Sequence, residues 1–400
     1  MTNPELHTKK RLVSLDVFRG VTIMAMIIVN SPGSWSYMYA PLQHASWHGL
    51  TPTDLVFPFF LFIVGFSISY SLSKYTNKQP EFSIYKKISW RSLKIFVVGI
   101  LLWLLFEPDL ANIRWPGVLQ RIAICFFITA ILYINLNIKH LIIITLVLLV
   151  SYSLVLLYVP VPIDEIILNA LNEGEIPRAH GFAEVEIYKN TSESIKPNLE
   201  PGTNISAFID RYILPGPLYE KSWDPEGLLS TIPAIATTLL GAILGSQFRI
   251  HQIKTKVDRM KFLITSGILL LISGMIISLI IPLNKNLWTP SFVLVTGGLA
   301  VLVFTLCYFI YDIRNYRPKL KIGQALGANA ITAYVLSFVL LYVFYNDLIW
   351  GVSLNEEFMK ATKDIGFNPK LSSFIYSLIY AFIIFIPLNI LYKKKIYIKL

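Results

Sequence analysis

The feature that most constrains this chain is a succession of apolar segments, each long enough to cross a lipid bilayer. A helix of about 20 apolar residues spans the ~30 Å of hydrocarbon in a bilayer. Ten such segments, bounded by charged residues, proline or asparagine, lie at 17–34, 53–73, 88–106, 116–135, 141–159, 228–248, 262–281, 291–311, 325–345 and 371–392. They predict an all-α, polytopic helical membrane protein with about ten transmembrane helices.

Composition argues against the soluble classes. Of the 400 residues, 54% are hydrophobic and 15% are charged, whereas soluble domains have roughly 45–50% and about 25%. The two cysteines, Cys125 and Cys307, lie in apolar segments, which argues against a disulfide framework or a zinc cluster. The formal charge of +11 does not indicate nucleic acid, because most basic residues flank apolar segments. The predicted surroundings are therefore the lipid bilayer.

The distribution of basic residues predicts the topology. Of the 35 Lys and Arg residues, 23 lie in one alternating set of loops and ends, and 10 lie in the opposite set. Cytoplasmic loops are enriched in Lys and Arg, so both termini of this multi-pass protein are predicted to be cytoplasmic. Residues 1–400 then form a single transmembrane domain, with one large external loop at 160–227 between the fifth and sixth segments.

The densest group of reactive side chains lies just before the second segment and contains His44, His48 and Asp54. An imidazole can take a proton from an attacking amine or hydroxyl and return it to a leaving group. Asp54 begins an apolar segment, where a carboxylate is costly and is a functional candidate that could orient an imidazole. The alternative is a histidine that only hydrogen-bonds a loop. Because Gly49 and Pro52 disfavour a helix here and no third ligand is evident, no metal is predicted.

Two further polar residues lie at or within the apolar segments. Asn30 ends the first segment, where an amide is either a helix C-cap or a donor to a developing oxyanion. Arg121 lies inside the fourth segment and requires a partner, either in an ion pair with Asp54 or Glu107 or in a ligand. These alternatives remain open on sequence alone.

Two other groups of residues suggest ligand contacts. Arg91 and Lys94 are three residues apart at the start of the third segment, where they either hold phosphates or meet lipid headgroups. Polar residues beside tryptophan suit either a sugar platform or an interfacial belt. The residues predicted to contact an acceptor in this way are Trp47, His48, Asp224, Glu226, Asn286 and Trp288.

These residues belong to a series of segments that together carry a family resemblance. In order, the segments are RLVSLDVFRG (11–20), VN (29–30), HASW (44–47), GLT (49–51), DLV (54–56), Pro58, WRS (90–92), Arg114, PGVLQR (116–121), DPEG (224–227) and NKNLW (284–288). They resemble the transmembrane acyltransferases of the heparan-alpha-glucosaminide N-acetyltransferase family. The resemblance runs from about residue 11 to the C-terminus.

The resemblance implies that acetyl-CoA enters from the cytoplasm and that its acetyl group is transferred to the amine of a glucosamine-type sugar on the far side. His44 matches the catalytic histidine of the family, and Asn30 matches the asparagine beside the thioester. The lysosomal enzyme carries asparagine at the position of His48 and has a longer N-terminal lumenal portion. These departures suggest a bacterial inner-membrane relative.

The predicted function is an acyl-CoA-dependent N-acetyltransferase in which His44 is the general base or, alternatively, an acetyl carrier. Asp54 orients His44, Asn30 polarises the thioester, and the predicted cofactor-binding residues are Arg91, Lys94 and Arg121. The predicted partners are acetyl-CoA and an amino-sugar acceptor, with a homodimer left open. The alternatives are a sugar or amino-sugar transporter, in which His44 and Asp54 relay protons, and a membrane scaffold.

Overall fold

The computed structural model describes residues 12–76, 81–172, 194–249 and 255–398. Within these residues the chain forms fifteen α-helices and one short pair of strands. The helices are α1 Val13–Asn30, α2 Val56–Ser71, α3 Phe82–Phe106, α4 Val118–Asn135, α5 Ile138–Tyr158, α6 Glu165–Asn172, α7 Ile205–Ile213, α8 Thr231–Arg249, α9 Lys256–Ile277, α10 Pro290–Tyr308, α11 Ile322–Ala328, α12 Ala330–Tyr345, α13 Asp347–Trp350, α14 Leu354–Asp364 and α15 Pro369–Lys393. The strands β1 Val161–Pro162 and β2 Ser194–Ile195 pair antiparallel.

The all-α, polytopic fold class is confirmed. In the described part of the chain, nine helices are long and apolar enough to cross a membrane: α1, α2 with its preceding turn (Thr53–Ser71), α3, α4, α5, α8, α9, α10 with its π-helical extension (Pro290–Ile313) and α15. The segment predicted at 325–345 differs from the other nine, because α11 and α12 meet there at 90°. The ten predicted segments therefore correspond to nine continuous helices and one bent pair.

The bend between α11 and α12 occurs at Asn329, which is buried. Its amide nitrogen donates to the Ile396 carbonyl at 3.2 Å, and its amide oxygen accepts from the Ile398 backbone at 2.9 Å. These bonds give a buried amide the partners that it needs inside an apolar environment. They also fix the segment that follows α15 against the bend.

Glycines allow α1 and α11 to touch along their backbones. A Cβ atom at Gly20 would lie 1.9 Å from the Gly323 carbonyl oxygen, and one at Gly327 would lie 1.8 Å from the Asp16 carbonyl oxygen. Small residues at helix contacts let backbones approach closely in this way. The close approach brings the Gly327 carbonyl within 3.2 Å of the Arg19 guanidinium.

The segment predicted as a large external loop is partly a folded layer, and its residues 173–193 lie outside the described residues. The side chains of Val161, Ile167, Ile195 and Ile205 form an apolar cluster with Tyr152 and Leu156 of α5. Arg211 of α7 pairs with Asp164 at 2.9 Å and donates to the Gly202 and Ser222 carbonyls. This layer packs on α5 and reaches the candidate site through residues 219–227.

Candidate active site

His44 and Asp54 form a hydrogen-bonded pair, with His44 Nδ1 lying 2.6 Å from Asp54 Oδ1. The side chain of His44 is 49% exposed and that of Asp54 is 1% exposed. The second carboxylate oxygen, Oδ2, accepts from the Ala45 amide at 3.1 Å, the Thr51 amide at 2.9 Å and the Thr51 hydroxyl at 3.0 Å. An ionised carboxylate can only accept, so His44 donates from Nδ1 and keeps its Nε2 lone pair for another proton.

Lys285 is a further member of this group that sequence reasoning missed. Its Nζ atom lies 3.2 Å from His44 Nε2 and 3.4 Å from His44 Nδ1. Burial lowers the pKa of Lys285, while Glu226 and Asp54 act in the opposite direction. A signal was present in the sequence, since Lys285 precedes the candidate residue Asn286 within the same family-like segment.

A cavity of about 1350 Å³ begins at this pair and extends along α1, α2 and α3. On α1 it is lined from Asn30 to Arg19, about 16 Å by the helical rise. On α2 and its preceding turn it is lined from Asp54 to Ser71, about 25 Å by the same measure. The end lined by Asn30, His44 and Asp54 is called the His44 end, and the end lined by Arg19, Ser71 and Arg91 is called the Arg91 end.

Asn30 lines the cavity at the His44 end. Its side-chain amide makes no hydrogen bond to any described residue, whereas a capping amide would bond its own helix terminus. The amide can therefore donate to a group inside the cavity.

Arginine side chains line the other end. The Arg91 guanidinium lies 4.9 Å from the centre of the Phe126 ring, and no carboxylate among the described residues pairs with it. Arg19 donates to the Ser67 hydroxyl at 2.7 Å and to the Gly327 carbonyl. Sequence reasoning assigned Arg19 no role, although it lies in the first family-like segment. Lys94 is not among the residues that line the cavity.

Arg121 is fully buried and lies outside the cavity lining. It donates to the Gly227 carbonyl at 2.9 Å and to the Ser230 hydroxyl at 2.5 Å, and its guanidinium lies 5.3 Å from the centre of the Trp288 ring. The interpretation of an ion pair with Asp54 or Glu107 is therefore wrong. It failed because the sequence does not reveal that residues 227–230 fold against α4.

Asp224 and Glu226, the two carboxylates predicted to contact the acceptor sugar, both bind Arg114. The sequence suggested no partner for Arg114. Arg114 donates to Asp224 through Nε at 2.8 Å and through Nη2 at 2.7 Å, and to Glu226 at 2.7 Å. Asp224 is 3% exposed and does not line the cavity, whereas Glu226 does. The ion pairs hold the DPEG segment in place at the His44 end.

Aromatic side chains surround the His44 end. Trp47 and Trp223 meet edge to face with their ring centres 4.9 Å apart, and both line the cavity with Asn286. Trp288 is buried, and its indole donates to Thr237 at 3.0 Å. His48 accepts from the Asn284 amide at 3.2 Å and does not line the cavity. In the described part of the chain, no three His, Cys, Asp or Glu side chains lie close enough to hold a metal ion.

Residues 11–170 match the catalytic region of heparan-alpha-glucosaminide N-acetyltransferase. The predicted family resemblance is confirmed. The human heparan-alpha-glucosaminide N-acetyltransferase is 30% identical over 369 residues, which cover 81% of this chain and 52% of that protein. The mouse protein of the same name is 28% identical over 367 residues, which cover 81% of this chain and 53% of that protein. The chain thus spans about half the length of these curated relatives.

The stretch that matches the heparan-alpha-glucosaminide N-acetyltransferase family contains Asn30, His44 and Asp54 at one end of the cavity and Arg91 at the other. Glu226 and Lys285 lie beyond that stretch, and the fold brings them to the His44 end.

Proposed function

We propose that this chain is a transmembrane acetyltransferase that moves an acetyl group from cytoplasmic acetyl-CoA to the amine of a glucosamine-type sugar on the external face. The observation that carries the proposal is one cavity with a histidine–carboxylate pair at one end and, at the other, the Arg91 guanidinium, which pairs with no carboxylate of the described residues. The names of the matching family and relatives describe this type of transfer.

The geometry at the His44 end suits general base catalysis. The acceptor amine attacks the thioester carbonyl carbon while His44 Nε2 takes its proton. Asp54 holds the ring through Nδ1 and stabilises the imidazolium that forms. The Asn30 amide donates to the oxygen on which negative charge develops.

The length and character of the cavity suit acetyl-CoA. Its pantetheine arm, ~20 Å long when extended, lies between the lengths of the two paths, about 16 Å along α1 and about 25 Å along α2. The phosphates then lie at the Arg91 end, where Arg91 has no competing carboxylate among the described residues. Of the three basic residues predicted to bind the cofactor, Arg91 alone remains in the proposal, because Lys94 and Arg121 do not line the cavity.

We place the acceptor sugar at the His44 end of the cavity, beside its aromatic side chains. Trp47 and Trp223 offer apolar ring surfaces against a sugar face, and Asn286 and Glu226 offer hydrogen-bonding groups. The other three predicted acceptor residues have supporting roles: His48 and Trp288 hold neighbouring loops, and Asp224 binds Arg114.

The test uses purified protein of known orientation in sealed proteoliposomes, with acetyl-CoA on the cytoplasmic side and glucosamine on the other. We expect N-acetylglucosamine on the glucosamine side and no net passage of unmodified glucosamine. His44→Ala should lower turnover by about 10²-fold or more, whereas His48→Asn should stay within a few-fold because His48 lies outside the cavity lining. Passage of unmodified glucosamine that is independent of acetyl-CoA would establish the transporter instead.

A further inference from the structure

We propose that Lys285 is a second catalytic residue, whose ammonium protonates the departing thiolate of CoA and is then recharged by His44. This inference rests on the proposed acetyl transfer and adds to it the group that completes the reaction. The observation behind it is that Lys285 Nζ lies against the His44 ring, 3.2 Å from Nε2, the nitrogen that Asp54 leaves free, and 3.4 Å from Nδ1.

The loop between α9 and α10 is built to hold Lys285 in this place. On one side Asn284 is buried, its side-chain oxygen accepts from the Leu287 amide at 2.8 Å, and its carbonyl accepts from the Thr289 amide at 3.1 Å. On the other side Trp288 is buried and adopts a left-handed backbone conformation with φ 52°. Strain of this kind persists where the surrounding contacts hold it. The loop that carries Lys285 is therefore anchored at Asn284 and at Trp288, and Lys285 lines the cavity.

The reaction requires an acid as well as a base. As the amine nitrogen bonds to the carbonyl carbon, its N–H bond breaks and the proton moves to His44 Nε2. When the tetrahedral intermediate collapses, the C–S bond breaks and its electron pair stays on sulfur. A proton from Lys285 Nζ then moves to that sulfur and gives the CoA thiol.

The contact between the two side chains closes the proton cycle. The neutral Lys285 amine accepts the proton that His44 holds on Nε2, which restores both residues to their starting forms. Over one cycle the amine loses one proton and the thiol gains one, so the step balances without a net uptake or release of protons. His44 alone would have to carry its proton from the amine to the sulfur through the same Nε2 atom, and a thiolate left unprotonated in the cavity would be a bare charge, which is costly.

Lysine suits this role in its observed surroundings. A free ammonium, with a pKa near 10.4, is a weaker acid than a thiol near 8.5. Burial lowers the pKa of Lys285, so its ammonium is a stronger acid than a free one. Arginine holds the same charge but does not release a proton in proteins.

The first test compares variants of Lys285 with acetyl-CoA as donor. Lys285→Met, Lys285→Arg and Lys285→Cys should each lower kcat by about 10²-fold, the range of general acid catalysis. Alkylation of the Lys285→Cys protein with bromoethylamine rebuilds a lysine-like side chain and should restore most of kcat. The two native cysteines are buried, so treated wild-type protein is the matched control. Near-normal activity of Lys285→Arg, or no recovery on alkylation, would overturn the proposal.

The second test separates proton donation from a structural or charge effect. An acetyl aryl thioester releases a stabilised thiolate that needs no proton, so Lys285→Met should lose less than about threefold with this donor while losing about 10²-fold with acetyl-CoA. An equal loss with both donors would show that Lys285 only binds the acceptor or stabilises charge. The proposed function is tested separately with the wild-type protein. If the wild type does not make N-acetylglucosamine from acetyl-CoA, the proposed function itself is wrong.

Discussion

At the scale of single residues, one carboxylate organises the candidate site. Asp54 lies at the start of a membrane-spanning helix, where an unpaired carboxylate would be strongly unfavourable. Three donors satisfy its Oδ2 atom and His44 satisfies its Oδ1 atom, so the buried charge is compensated. The two oxygens have different tasks, because Oδ2 fixes the carboxylate to its loop and Oδ1 sets the tautomer of His44.

This division predicts the effect of Asp54→Asn. The three donors at the Oδ2 position require an acceptor, so the asparagine oxygen takes that place and its NH₂ group points at His44 Nδ1. The hydrogen bond then reverses, His44 carries its hydrogen on Nε2, and it cannot accept a proton there. We expect kcat to fall by about 10²-fold or more, with acetyl-CoA affinity and Tm near those of the wild type. Turnover within threefold of wild type would contradict the orienting role.

At the scale of helices, the sequence predicts those features that depend on residues close together along the chain. Nine spans follow from local apolar runs, and the pair of His44 and Asp54 follows from residues only ten positions apart. The bend at Asn329 does not, because its partners lie 67 and 69 positions away. The same holds for Arg114, whose carboxylate partners lie 110 and 112 positions away.

Helix α3 illustrates how a helix boundary changes the interpretation of a site. It begins at Phe82, whereas the apolar pattern predicts residue 88, so Arg91 lies well inside the helix. Arg91 and Lys94 are close on the helix surface, yet only Arg91 lines the cavity. A side chain on the cavity face can bind phosphate, and we expect its neighbour outside the cavity lining to meet lipid headgroups instead.

The different roles of Arg91 and Lys94 can be tested by measuring acetyl-CoA binding. Arg91→Glu should raise Kd by tenfold or more, because charge-assisted contacts of about 1.5–3 kcal/mol are lost and each 1.4 kcal/mol is about tenfold. Lys94→Glu, three residues away, is the matched control and should change Kd by less than threefold. Added salt should weaken binding by the wild type more than by Arg91→Glu. If both variants left Kd within threefold of the wild type, both side chains would be assigned to the membrane surface, whereas tenfold weakening by both would add Lys94 to the cofactor site.

At the scale of the whole molecule, the cavity runs between the side that is predicted to be cytoplasmic and the side that is predicted to be external. The side predicted to be cytoplasmic carries 23 basic residues, and α1 runs from that side with Arg19 near its start and Asn30 at its end. Since the cavity follows α1, its Arg91 end is expected to face the cytoplasm and its His44 end the exterior. A polyanionic cofactor and an external sugar would then meet without either one crossing the membrane.

Thiol labelling in intact cells tests this orientation. Cys125 and Cys307 are buried, so the engineered Ser46→Cys and Thr255→Cys variants can be labelled without removing them. Ser46→Cys should react with an impermeant thiol reagent from outside, and Thr255→Cys should react only after the cytoplasmic side is opened. Since Ser46 lines the cavity, saturating glucosamine should slow the first reaction and leave the second unchanged. Reaction of Thr255→Cys from outside would show that the topology is inverted. His44 would then face the cytoplasm, which already contains acetyl-CoA, and the transfer would not need to cross the membrane.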